Sequence, residues 1–149
     1  MAQHIVPDLV NQQEIWTCKP QTTVRDAAKF MAQRKIGAVM VVADGKLVGI
    51  FSERDLLSKV IAQDRDPDQV LLDAVMTRSP VTVDPDDTPQ TALELMRRHG
   101  IRHLPVTQDN RPVGMLSVRD LYDAVKSELE ADLREREAYI FGQGYGASA

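Results

Sequence analysis

Gly49-Ile-Phe-Ser52-Glu-Arg54-Asp55 recurs 65 residues later as Gly114-Met-Leu-Ser117-Val-Arg119-Asp120. The recurrence extends well beyond these seven residues. Shifting residues 5–60 by 65 lays them on residues 70–125 without a gap and gives 17 identities in 56 positions, among them Thr17/Thr82, Pro20/Pro85, Thr23/Thr88, Ala27/Ala92, Met31/Met96, Ile36/Ile101 and Asp44/Asp109. Most other pairs keep their chemical class, such as Phe30/Leu95, Val39/Leu104 and Ile50/Met115. The chain is two copies of one unit, and a repeat at fixed period governs the fold before any single element is read.

Each copy carries the same pattern. Val24, Ala27, Ala28, Met31 and Ala32 sit at helical spacing between Thr23 and Arg34, and Ala92, Leu93 and Met96 do so between Thr88 and His99. Pro89 suits a first helical position. Apolar strands are expected over Ala38–Val42 and Leu47–Phe51, with twins over His103–Thr107 and Pro112–Leu116. Asp44-Gly45 and Asp109-Asn110 between them are hairpin-turn signals. Leading strands are expected near Trp16–Cys18 and Val81–Val83, each after a short helix, about Val6–Asn11 and Val70–Met76. A further helix starts after Ser52 and after Ser117. The unit reads β-α-β-β-α, an α+β fold. One copy cannot cover both faces of a three-stranded sheet, so the two pack sheet against sheet in pseudo-twofold fashion. The boundaries are 5–63 for repeat one, 64–69 for a linker, 70–127 for repeat two and 128–149 for a tail.

Composition narrows the function. With 149 residues, 43% apolar and 27% charged, the chain has the balance of a folded soluble protein. Its 18 basic and 22 acidic residues leave a net charge of −4, a poor basis for binding nucleic acid. No apolar run approaches a membrane span and Met1–Val10 lacks a signal pattern, so a cytoplasmic location is expected. Cys18 is the single cysteine and excludes an intrachain disulfide; opposite Val83, it reads as a small apolar residue. Asp64, Asp66 and Asp68 suggest a calcium loop, but Gln69 and Val75 stand where such a loop needs glycine and glutamate. No metal site is expected, and no catalytic constellation is visible.

The repeated motif has two readings. Ser-x-x-Asp at a helix start is a capping box, in which hydroxyl and carboxylate satisfy the free N–H groups of the first turn. The same N–H groups beside a glycine form an anion site. There a serine can bind phosphate oxygen, an aspartate can accept from a ribose diol, and Arg54 or Arg119 can neutralise phosphate. Chemistry alone does not separate the cap from the nucleotide site.

The motif, taken with Met76-Thr-Arg-Ser-Pro80-Val-Thr82-Val83 and Ile101-Arg102-His103-Leu104-Pro105-Val106, resembles the cystathionine-β-synthase (CBS) domain, and the pair resembles a Bateman module. Repeat one departs from the last element, since Met40 stands where repeat two has Pro105. The resemblance covers about residues 5–127. It implies a non-catalytic sensor of adenosine-containing nucleotides: AMP first, then ADP, ATP, NAD(H) or S-adenosylmethionine. Such ligands would lie in two clefts between the repeats. Asp55 and Asp120 would hold ribose, and Ser52, Ser117, Arg54 and Arg119 would serve ribose or phosphate. Adenine would lie near Thr17, Cys18, Ala38 and Val39 in one cleft and near Thr82, Val83, His103 and Leu104 in the other.

The copies differ where Arg102 and His103 stand opposite Gly37 and Ala38. This gives repeat two the basic wall, for which a phosphate role is expected, and repeat one a roomier site suited to a nucleoside or a dinucleotide. The tail differs as well. Leu121, Val125, Leu129 and Leu133 form one stripe, and i,i+4 pairs such as Lys126/Glu130 support a helix to about Glu137. Tyr139-Ile140-Phe141 then needs a surface to cover it, and a homodimer is expected. The regulated protein partner is left open by the residues. A scaffold with vestigial clefts is the alternative function.

Overall fold

The computed structural model describes residues 14–140. The elements run β1 (Thr17–Cys18), α1 (Val24–Arg34), β2 (Ala38–Ala43), β3 (Lys46–Ser52), α2 (Glu53–Asp55, continued by π-helical turns over Leu56–Ile61), α3 (Leu72–Val75), β4 (Thr77–Arg78), α4 (Pro89–His99), β5 (His103–Gln108), β6 (Arg111–Ser117) and α5 (Val118–Ile140). The short helix expected at 6–11 and the residues after 140 lie outside the described residues.

The paired helices start and stop alike. The Thr23 hydroxyl accepts from the Asp26 N–H at 3.2 Å, and the Thr88 hydroxyl accepts from Thr91 N–H at the same distance. Each helix ends in a left-handed residue, Lys35 (φ 56°) and Gly100 (φ 63°). Both bury positions spaced by three and four: Val24, Ala27 and Met31 in α1, Pro89, Ala92 and Met96 in α4. The hairpin turns take positive φ at both central residues, 53° and 77° at Asp44-Gly45, 53° and 63° at Asp109-Asn110, as two-residue hairpins require.

Strand alternation divides the faces. Val39, Val41 and Phe51 enter one core with α1, and Leu104, Val106 and Leu116 enter the other with α4. The alternate residues Met40, Ile50, Pro105 and Met115 belong to the opposite faces. Across them β3 meets β6, and the Leu47 N–H donates to Asn110 O at 2.9 Å.

Among the described residues the sheets are unequal. The first has four strands in the order β1-β2-β3-β4, because Thr77 and Arg78 pair antiparallel with Ile50 and Gly49. Sequence reading did not anticipate this fourth strand. Its close approach needs Gly49: a Cβ there would lie 2.6 Å from Met76 Sδ and 3.0 Å from Thr77 O. Residues of the segment before it, Val70, Leu72, Val75 and Met76, join the core of repeat one although sequence assigns them to the second copy. Among the described residues the second sheet has two strands, β5 and β6, and the leading strand expected at Val81–Val83 contracts to a single bridge, Val83 to Val106. The reason is Pro105. Val83 N–H donates to Pro105 O and Thr107 N–H to Val83 O, both at 3.0 Å. In that parallel register the next donor, facing Val81, would be the N–H of residue 105, which proline lacks. Met40 at the matching place in repeat one keeps its N–H, and β1 forms.

Candidate functional site

Both motifs fold as capping boxes. Ser52 N–H donates to Asp55 Oδ2 at 2.9 Å while Asp55 N–H donates to Ser52 Oγ at 3.2 Å. Ser117 N–H donates to Asp120 Oδ2 at 3.1 Å, and Asp120 N–H returns to Ser117 Oγ at 3.2 Å. The residue after each serine donates back to the loop before the adjoining strand, Glu53 to Gly37 O at 3.0 Å and Val118 to Arg102 O at 2.9 Å. These bonds fix each helix start against its own sheet. Each box also faces a cleft, so the cap and a ligand site are compatible uses of one motif.

The clefts cross the repeats. The first, about 370 Å³, joins Ser117, Arg119 and Asp120 of repeat two to Trp16, Lys35, Gly37, Ala38 and Met40 of repeat one. The second, about 460 Å³, joins Ser52, Arg54 and Asp55 of repeat one to Thr77, Pro80, Val81, His99, Arg102 and His103 of repeat two. Both volumes fall within the usual range for small-ligand sites. The basic stretch of repeat two therefore walls the cleft that carries the acid of repeat one. Arg54 spans that cleft, its Nη1 donating to Gly100 O at 3.3 Å.

His103 stands in both linings. A Cβ on Gly37 would lie 3.1 Å from His103 Cε1 and Nε2, so the ring packs on that glycine. Burial holds the imidazole below the ordinary histidine range; Glu53 and Asp120 oppose this and Arg102 adds to it.

The acids are held differently. Asp55 is 7% exposed and accepts further bonds: from Ser52 Oγ to Oδ2 at 3.1 Å, from Thr77 Oγ1 to Oδ1 at 3.4 Å, and an ion pair from Lys59 Nζ to Oδ1 at 3.0 Å. Asp120 is exposed, and among the described residues its carboxylate accepts only from Ser117 N–H.

Nine of the expected site residues line a cleft: Ala38, Ser52, Arg54, Asp55, Arg102, His103, Ser117, Arg119 and Asp120. Val39, Val83 and Leu104 do not, because strand alternation turns their side chains into the cores. Cys18 packs partly buried against the first core, where burial pushes its thiol up. Thr17 is exposed and outside both linings, and Thr82 lines a separate groove with Arg78 and Asn110. Trp16, Met40, Met115, Lys59 and Thr77 were missed. Period-two counting from Ala38 finds Met40. Trp16, the single tryptophan, meets Phe30 edge-on at 6.0 Å with the Arg34 guanidinium 4.5 Å over its ring. Among the described residues no group of histidine, cysteine, aspartate and glutamate is arranged to hold a metal, and no helix is long and apolar enough to cross a membrane.

Comparison with known proteins supplies the family. The profile described as the CBS domain matches residues 6–62 and 72–127. The chain is 39% identical over 136 residues to the mitochondrial CBS domain-containing protein CBSX3 of Arabidopsis thaliana, covering 88% of this chain and 65% of that one. Among solved structures, the CBS-domain protein ATU1752 of Agrobacterium tumefaciens is 34% identical with a TM-score of 0.73, over 80% of this chain and 97% of its own. PAE2072 of Pyrobaculum aerophilum, solved in complex with AMP, is 32% identical with a TM-score of 0.67, over 73% and 84%. With the helix, the hairpin and the capping box in the same order twice and both repeats matched, the chain belongs to the CBS-domain family and carries two such domains in tandem.

Proposed function

We propose that this chain is a non-catalytic regulatory module that binds adenosine-containing nucleotides between its repeats and acts on a partner protein by population shift. The observation that carries the reading is the Ser117–Asp120 box. Its carboxylate is exposed in a cleft with Arg119 for phosphate and Trp16 as an aromatic face for a base. The complex of the Pyrobaculum relative with AMP supports adenosine as the ligand class. AMP is the first candidate, with ADP, ATP, NAD(H) and S-adenosylmethionine after it.

A second copy of the chain is the partner proposed for α5, where Leu129, Leu133, Tyr139 and Ile140 are exposed. Soluble proteins commonly cover such a row by twofold pairing. A thermal-shift series tests the ligand: at 100 times its dissociation constant a nucleotide adds about 2.7 kcal/mol to stability. Light scattering on the same samples weighs the particle against the 16.6 kDa protomer. No shift with any of the five ligands, together with a dimeric mass, favours the scaffold reading instead.

A further inference from the structure

Lys59 lies in the π-helical turns that follow the first motif, and its ammonium is spent inside the cleft wall. It pairs with Asp55 Oδ1 at 3.0 Å, donates to Val75 O at 3.1 Å and reaches Thr77 Oγ1 at 3.5 Å. Asp55 is filled in turn: Oδ2 takes the N–H and hydroxyl of Ser52, and Oδ1 takes Lys59 and Thr77. A carboxylate offers about four lone-pair sites, so no acceptor remains for a vicinal diol. In repeat two the residue 65 positions after Lys59 is Ala124, and among the described residues no donor reaches the second oxygen of Asp120.

The Lys59 side chain is 41% exposed against 9% for Asp55. The cation can therefore withdraw into water, whereas the acid cannot follow it. Around this pair the cleft holds Arg54, His99, Arg102 and His103, a basic wall that does not depend on Asp55.

We infer that Lys59 is an internal competitor for Asp55, a specificity-determining residue that makes the Asp55 cleft refuse a ribose diol unless the ammonium is displaced. The Asp120 cleft is then the diol site of the free protein. This deepens the nucleotide-sensing reading and rests on it.

Adenosine is the probe, since it carries the diol without phosphate. Calorimetric titration of the full chain compares wild type, Asp120→Asn, and Asp120→Asn combined with Lys59→Met or with Lys59→Gln, each checked for folding by thermal melt. Asp120→Asn should bind adenosine barely or not at all, and adding Lys59→Met should raise affinity about 10- to 100-fold, the worth of one charge-assisted bond released. Lys59→Gln, which can still donate to the buried acid, should move the same way by less. A purely structural lysine predicts unchanged or weaker binding, so either of those results overturns the inference while leaving the nucleotide reading intact. If wild type binds neither adenosine nor AMP, and no variant does, the nucleotide reading fails and the inference falls with it.

Discussion

Asp55 and Asp120 occupy one place in one motif, behind matching serines and at the start of matching helices. Their surroundings diverge. The first is buried under Lys59 and Thr77; the second is open to its cleft. Among the described residues the difference comes from outside the motif: Lys59 stands against Ala124 one helical turn on, and Thr77 of β4 reaches Asp55. Duplication copied the backbone and the cap, while the neighbours decided what each carboxylate has left to offer.

The comparison is broken most directly at the acids. Asp55→Ala leaves the Ser52 N–H and the Thr77 hydroxyl without their buried acceptor and should cost about 1–3 kcal/mol of stability, with little change in ligand affinity. Asp120→Ala removes only a cap bond, about 1 kcal/mol, but should weaken nucleotide binding about 10- to 100-fold. Urea melts beside calorimetric titrations read both quantities; equal behaviour of the two variants would show that the repeats are functionally equivalent.

A smaller effect sharpens the contrast between the leading strands. Pro105→Val restores the donor that faces Val81. The gained hydrogen bond and the lost rigidity of proline nearly offset, leaving stability within about 1 kcal/mol. The readout is therefore hydrogen exchange: the new amide at 105 should be protected, and free exchange there would mean that something other than proline shortens the strand.

The smallest effect belongs to His103, where repeat one has Ala38. Burial lowers its pKa, so the unfolded chain takes up a proton near pH 6.5 while the folded chain resists. Folding stability from this group is complete above that pH and declines as pH falls through it towards the lowered folded value. Urea melts between pH 7.5 and 5.5 should show this decline, and His103→Gln should flatten it. An identical slope in the variant would assign the decline to other groups.

Most of the architecture was legible because it rests on local signals repeated twice. Thr23 and Thr88 announce the helices, Asp44-Gly45 and Asp109-Asn110 the hairpins, and apolar runs the strands between them. The serines and acids of the two capping boxes were legible for the same reason. The strand residues that line the clefts were less so. Naming adjacent residues such as Ala38 and Val39 ignores that a strand sends neighbours to opposite faces, so half of such a set enters the core. Lys59 and Thr77 left no local mark either, since their meeting at Asp55 depends on how a later segment folds back.

That folding back bears on how the protein comes apart. β4 is cut from the sequence that introduces repeat two, yet it closes the edge of the repeat one sheet, and residues 70–76 complete that core. The unit of duplication is thus not the unit of folding. A fragment ending at the 64–69 linker would expose the open edge of β3 and a truncated core, both invitations to intermolecular pairing. Chain cleavage in the linker would therefore leave the halves non-covalently joined, and denaturation should proceed as one transition in which neither copy outlasts the other.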